Sequence, residues 1–409
     1  MGLTVEQECP QCGAPIELDE TDNIMLCPYC GVKNFLFAPH FYRFLLPHKA
    51  PGKEIFYTPY LRFKGNIYFC NDSNLTCRYL DITRPGLSHK GIPISLGVRP
   101  QAMKLRFFSP DANGSFLRFS IDPKEILSKA VIRPSHLMTG RLFHHAYIGE
   151  ALSVVYLPVF VENCKIFDAV LNRPLAEGSD GAGILEHPIE KNPRRWRIMF
   201  MATLCPVCGW NLDGERDSVV LTCKNCNSAW EAYEAKFSQV EFAVMPGDGS
   251  ESAYLPFWKI SVKVTGIEIN SFSDFIRVTN QPRIPGKEME NQDMSFWCPA
   301  FKIRPKIFLN LSRQSTVSQN EFKTVNTFPN NSIYPVTLPK KEALQSMKIT
   351  LAASALNKRD IFPLLPEVRF KIKSSMLVYL PFKDTGHEMV HEFTGMSINK
   401  NIMKFGRFL

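Results

Sequence analysis

Four short stretches decide the reading of this chain: Cys9-Pro-Gln-Cys12-Gly13, Cys27-Pro-Tyr-Cys30-Gly31, Cys205-Pro-Val-Cys208-Gly209 and Cys223-Lys-Asn-Cys226-Asn227. Eight of the 12 cysteines fall in these Cys-x-x-Cys pairs, and 14 residues separate the first pair from the second in each half. Two thiolates three positions apart grip one metal from a single tight knuckle. A second knuckle across a short hairpin completes a tetrahedral four-sulfur site. The Gly or Asn after each knuckle tolerates the positive φ that turns backbone N–H groups toward sulfur. Asp19-Glu20-Thr21-Asp22-Asn23 and Asp213-Gly214-Glu215 read as the hairpin tips.

Each segment resembles a zinc ribbon of the rubredoxin-like, four-cysteine type, over about 25 residues per site. Two sites are expected, Cys9, Cys12, Cys27 and Cys30 in one and Cys205, Cys208, Cys223 and Cys226 in the other. Iron also fits four thiolates, but zinc suits a closed structural site. With no open position for water, such a site is structural and not catalytic. Disulfides would need an oxidising compartment, and Cys-x-x-Cys redox chemistry would not need two matched pairs. Cys70, Cys77, Cys164 and Cys298 have no partner spacing and read as core or surface thiols.

Outward from the ribbons, the two halves echo one another. The knuckles repeat at an offset of 196, Tyr57-Thr-Pro-Tyr60 and Tyr254-Leu-Pro-Phe257 at 197, and Val155-Tyr-Leu-Pro-Val159 and Val378-Tyr-Leu-Pro-Phe382 at 223. Arg99-Pro100 and Arg304-Pro305, and the helix starts at Pro123 and Pro339, fall between them. The rising offset is assigned to loop insertions in the second half, such as the polar 312–331 stretch. Strands are expected at 56–69, 104–108, 115–121, 196–203, 240–244, 260–267 and 369–377, where β-branched and aromatic residues concentrate. Helices are expected at 339–356 and 123–131. The fold class is therefore β-rich α+β with two internally duplicated lobes. Each lobe is a four-cysteine zinc ribbon followed by an irregular antiparallel β domain with one short helix. The domains read as ribbon 1 (1–31), β domain 1 (32–176), a linker (177–197), ribbon 2 (198–230) and β domain 2 (231–409).

With 409 residues, 45% hydrophobic and 21% charged, the chain is long enough for two to four real cores and is not a disordered scaffold. The most apolar stretch, Ala146 to Phe167, is broken by Glu150, Pro158, Glu162 and Lys165, so no transmembrane span is expected. The first residues lack a signal peptide's basic and apolar regions, and Glu6 stands where myristoylation needs Ser or Thr. A cytoplasmic protein is the expectation.

His387-Glu388-Met389-Val390-His391 matches the HExxH pattern of zinc proteases, which needs both histidines on one long helix and a third ligand downstream. Here Gly386 and Gly395 bracket it, and no Asp, Glu or His follows Glu392. It reads instead as the second strand of a hairpin, with His387, Met389, His391 and Phe393 on one face. Of the pair His144-His145, one side chain is expected inside and one outside. No phosphate loop, dinucleotide fingerprint or nucleophile elbow is present, and no catalytic residue is assigned.

The formal charge of +9 is unevenly placed. Residues 1–31 hold six acids and no Lys or Arg, whereas 33–106 hold 12 Lys/Arg against Glu54, Asp72 and Asp81. Phe41, Tyr42, Phe56, Tyr57, Tyr60, Phe63, Tyr68 and Phe69 lie among them. Such a segment is either a single-stranded nucleic-acid surface or a sheet with rings inward and cations outward. Lys302, Arg304 and Lys306 alternate as on one strand face, and Arg194-Arg195-Trp196-Arg197 form another basic cluster; both suit acidic protein or anionic lipid. The function expected is a non-catalytic zinc-binding interaction or assembly protein, docking a protein partner or multisubunit complex through its β lobes. Nucleic-acid binding by 33–106 is the alternative, and peripheral membrane contact is a further expectation for the basic clusters.

Overall fold

A computed structural model describes residues 2–72, 74–109, 111–132, 140–175, 181–190, 196–247, 252–319 and 321–407. The chain is β-rich and divides into two units. The first comprises Met1–Lys64, Asp81–Ser135 and Ala151–Thr203; the second comprises Gly65–Leu80, His136–Glu150 and Leu204–Leu409. The long strands Phe56–Asn71, Asn74–Pro85 and Leu142–Glu162 thus give one part to each unit.

In the first unit the ribbon is built into the main core. Strand Thr4–Glu8 pairs antiparallel with Pro15–Asp19 and parallel with Lys104–Phe107. Its inward residues Leu3, Val5, Ile16 and Leu18 join Phe44, Tyr60, Tyr156 and Trp196 in one buried cluster. The Trp196 indole donates to the Pro39 and Phe41 carbonyls, which fixes that end of the chain. The 177–197 stretch, expected as a linker, lies partly outside the described residues, as do Arg194 and Arg195 of the basic cluster. Its described part contains a short helix, Gly181–Leu185, and a bridge from Ile189 to Leu117.

In the second unit, strand Ser252–Thr265 pairs antiparallel with Ser295–Pro299 on one side and Arg369–Asp384 on the other. Glu388–His391 and Met396–Asn399 continue the sheet. Its core includes Tyr68, Cys70, Ala146 and Ile148, contributed by the strand segments 65–71 and 142–150. Those segments are clamped by polar contacts: the Asn66 amide donates to the Ile303 carbonyl at 3.0 Å, and the Gly149 and Glu150 N–H groups donate to the buried Glu342 carboxylate.

The expected strands are present with altered ends. Phe56–Asn71 and Lys104–Phe107 match closely, whereas the third spans only Ser115–Phe116 and the last runs on to Asp384. The helices Pro123–Ile132 and Lys340–Ser354 also form where expected. One helix per lobe is a correction, because the second unit also holds helices Phe272–Val278, Pro305–Ser318 and Lys400–Gly406. The Lys302–Lys306 stretch is not one strand face: Pro305 opens a 14-residue helix. Pro fits a helix's first position because its missing N–H has no partner there anyway. That helix buries hydroxyls beside its apolar groups. Ser312 donates back to the Phe308 carbonyl at 2.8 Å, and the Thr316 hydroxyl accepts from the Trp297 N–H at 3.0 Å. Its inward face thus mixes Phe308 and Leu311 with hydroxyls that are satisfied locally.

Several backbone contacts recur at matching places. Leu46 N–H bonds the Tyr156 carbonyl, as Met245 N–H bonds Tyr379. Gly86 N–H bonds Pro59, as Ala300 N–H bonds Pro256, and the Gly86 and Ala300 carbonyls then each accept two N–H groups, from Ser120 and Ile121 and from Thr337 and Leu338. In register, Val155 lies opposite Phe44 and Val378 opposite Ala243, while Val161 faces Ile166 as Asp384 faces Met389.

Candidate metal centres

Each cysteine tetrad gathers at the end of two knuckles. In all but one knuckle the residue after the second Cys is a glycine at positive φ: Gly13 at 74°, Gly31 at 72° and Gly209 at 72°; Asn227 takes the fourth place at 48°. This conformation lets the Gly13, Gly31 and Gly209 N–H groups reach back to the carbonyls of Cys9, Cys27 and Cys205 at 2.9–3.0 Å. Asn227 is tied further, its side-chain oxygen accepting the Phe328 N–H at 3.0 Å.

All eight sulfurs sort as expected, and within each tetrad they lie within 4.8 Å of one another. Cys9 and Cys30 are 3.7 Å apart, Cys12 and Cys27 3.7 Å, Cys205 and Cys226 3.6 Å, and Cys208 and Cys223 3.5 Å. A tetrahedron with metal–sulfur bonds of about 2.3 Å has edges of about 3.8 Å. The two tetrads can therefore each hold a metal ion. All 12 cysteines are free thiols.

Without a metal the sulfurs of a tetrad disagree about their protons. Burial raises the Cys27 thiol, but the N–H groups of Cys30 and Tyr29 bring it down to about 7. Burial is likewise opposed at Cys205 by the Cys208 and Val207 N–H groups, and that thiol falls to about 6. Cys223, pushed by burial, rises to about 12. A divalent ion resolves the conflict by holding all four as thiolates. The second tetrad has an additional support that the sequence reading missed. Ser228 Oγ lies 3.0 Å from Cys226 Sγ and accepts the Trp230 indole N–H at 2.8 Å. At the matching place in the first tetrad stands Val32.

The unpaired cysteines divide as expected: Cys70 and Cys298 are buried, Cys77 is partly buried and Cys164 is exposed in a turn. His145 is exposed, while His144 turns partly inward and burial lowers its pKa to about 4.

The HExxH segment is not a helix. Glu388–His391 is a strand between two neighbours, and His387 precedes it in an exposed turn. The expected common face of four residues is corrected accordingly, because only Met389 and His391 point inward and Phe393 lies in the next turn. His391 is fully buried among Phe322, Phe382 and Phe393, with Nδ1 2.7 Å from the Thr394 hydroxyl and Nε2 without a partner. Burial lowers its pKa to about 4.

Four of the 12 cations in 33–106 pair with acids of the segment before it. Arg62 donates to Glu20 at 2.5 and 2.6 Å and to Asp81 at 2.7 Å, and Lys64 lies 3.7 Å from Glu20. Lys104 pairs with Glu17 and Glu6, and Arg106 with Glu6. Arg43 pairs with Glu190 and Arg99 with Asp168. Phe56, Tyr57, Tyr60, Phe63, Tyr68 and Phe69 are all buried. The charge asymmetry visible in the sequence is thus used within the first unit, by contacts no local spacing announces.

No helix among the described residues is long and apolar enough to cross a membrane. Comparison with protein-family models, with curated proteins and with solved structures finds no match for this chain.

Proposed function

We propose that the chain is a non-catalytic zinc protein that assembles with a protein partner or multisubunit complex, its two tetrads holding structural Zn²⁺. The observation that carries this reading is a closed four-sulfur site joined to exposed apolar side chains on the same loops. Tyr29 is 70% exposed, Val207 66% and Trp210 62%. A tetrathiolate leaves no position for water or substrate, so its use is to make those loops rigid. Tyr and Trp held out on a rigid loop are the side chains that most often anchor protein interfaces. Zinc is preferred to iron for a site with no redox task. Free thiols that keep a metal belong in a reducing cytoplasm.

We further read the chain as an internal duplication. The recurring carbonyl pairs at Pro59/Gly86 and Pro256/Ala300, and the equal strand registers around Tyr156 and Tyr379, support that reading. The nucleic-acid alternative has less in its favour, since the rings it would stack on lie in the core.

Native mass spectrometry with metal analysis tests the proposal, on protein purified from its own cells without chelator. Two zinc ions per chain and a stoichiometric protein partner are expected. A bare chain, or nucleic acid released by salt, would overturn the assembly reading.

A further inference from the structure

Strand Ser252–Thr265 buries Ile260, Val262 and Val264 and turns Lys259, Ser261, Lys263 and Thr265 to its other face. Neighbouring strands extend that face in rows. Lys259 lies between Trp297 and Met376, Ser261 between Ser295 and Ser374, and Lys263 opposite Lys371. The first two rows line a cavity of about 210 Å³. The Lys259 ammonium sits 5.4 Å from the Trp297 ring centroid. Lys263 and Lys371 are like charges held directly across from each other, which costs a sheet stability. Among the described residues, none of these three lysines makes an ion pair. Two carboxylates, Asp293 and Glu321, also line the cavity. Asp293 is taken by Lys373 at 2.6 Å, and exposed Glu321 accepts the Gln292 amide at 3.4 Å.

The corresponding place in the first unit is filled. Matching Pro59 to Pro256 and Gly86 to Ala300 puts Arg62 at the position of Lys259, Lys64 at Ser261 and Asp81 at Ser295. There the tip of the first ribbon delivers Glu20 onto Arg62 and Lys64, which are 1% and 2% exposed. The second ribbon's tip delivers no such group: its Glu215 and Asp217 are bound by Arg407.

We propose that the Lys259–Lys263–Lys371 face is a docking site for an acidic peptide segment of a partner, with one Glu or Asp side chain entering the cavity onto Lys259 as Glu20 does onto Arg62. The site rests on the duplication and assembly reading and gives its partner a chemistry. Both the uncompensated charge and the occupant of the equivalent place favour a carboxylate on a protein loop.

The test uses the full zinc-loaded chain and a labelled peptide, Leu-Asp-Glu-Thr-Asp-Asn-Ile-Met, which copies residues 18–25. Fluorescence anisotropy at low ionic strength should show saturable binding. Lys259→Met should weaken it about tenfold, as should replacing the peptide's Glu by Gln, because each removes one charge-assisted hydrogen bond. Lys263→Gln with Lys371→Gln should weaken it again. These side chains are partly or fully exposed, and an unchanged urea unfolding curve, read at buried Trp258 and Trp297, verifies that the variants fold. Absent binding, or binding indifferent to Lys259→Met, overturns the site. So does tighter binding of a single-stranded oligonucleotide or a phosphatidylserine vesicle that depends on the same lysines. A failed peptide titration alongside a stoichiometric partner in native mass spectrometry removes this site and leaves the assembly reading standing. Peptide binding without any such partner does the reverse.

Discussion

Replacing Glu342 by Gln should stabilise the protein, and more so as pH rises. Glu342 lies in the first turn of helix Lys340–Ser354 and accepts N–H groups from Gly149 and Glu150. Burial, with Lys302 opposing it and Glu150 adding to it, raises its pKa from 4.5 to about 7. A carboxyl with a raised folded pKa binds its proton more tightly when folded, so stability falls as pH climbs from 4.5 toward 7. Above 7 the full penalty applies. At about 1.4 kcal/mol per pKa unit, the penalty is roughly 3 kcal/mol at pH 8 and roughly 1 kcal/mol at pH 5.5. Gln keeps an oxygen for both N–H donors and never ionises. Urea unfolding followed by tryptophan fluorescence reports on this unit, where Trp258 and Trp297 are buried. The variant should gain about 2 kcal/mol more over the parent at pH 8 than at pH 5.5. Other titrating groups are common to both proteins and cancel in that difference. A variant less stable than the parent at pH 8, or a difference that ignores pH, would refute the reasoning.

Three other outcomes are expected. Ser228→Ala should lower metal affinity at the second tetrad by about 10–100-fold in a chelator competition, because it removes the hydroxyl beside Cys226; the first tetrad, with Val32 in that place, should be unaffected. His391→Phe should leave stability at pH 8 nearly unchanged and reduce acid lability. A histidine whose folded pKa is lowered to about 4 draws no proton until it unfolds, so the parent loses stability as pH falls from 6.5 toward 4, read by urea midpoints at pH 7.5 and 5. Arg62→Ala should cost about 3–5 kcal/mol by urea unfolding followed by circular dichroism, since it strands the buried Glu20 carboxylate, while Arg62→Met combined with Glu20→Gln should recover much of the loss.

What could be read from the chain was what depends on neighbours in sequence. Ligand spacing in a knuckle spans four residues, and the glycine after it answers a local backbone need, so both tetrads were legible. So were the hairpin turn at Asp384-Thr385-Gly386 and the two helices, one opened by Pro123 and the other capped by Pro339, where the sequence suggests its first residue. Helix Pro305–Ser318 was missed because alternating Lys302, Arg304 and Lys306 suggested a strand and the polar 312–331 stretch a loop insertion, although Pro305 opens the helix and Phe308 and Leu311 form its inward face. The charge reading placed the rings inward correctly but missed where the cations find their partners. The segregation of acids in 1–31 from cations in 33–106 was plain, yet Glu20 and Arg62 are 42 residues apart and nothing local says they meet. Ser228, two residues after Cys226, was overlooked although its hydroxyl stands close in sequence to a ligand; Glu342, 193 residues from the N–H group it receives, had no local signal at all.

The strand segments 65–71 and 142–150 have a consequence for biosynthesis. They belong to the second unit's core, but they leave the ribosome long before the helix that carries Glu342. At about 5–20 residues per second, the 193 residues between Gly149 and Glu342 take roughly 10–40 s to translate. Through that interval Tyr68, Cys70, Ala146 and Ile148 have no finished core to enter. The nascent chain therefore carries these apolar strand segments unsheltered past completion of its first tetrad. A fragment beginning at residue 204 would lack the same four side chains from its interior and should not fold as the intact protein does.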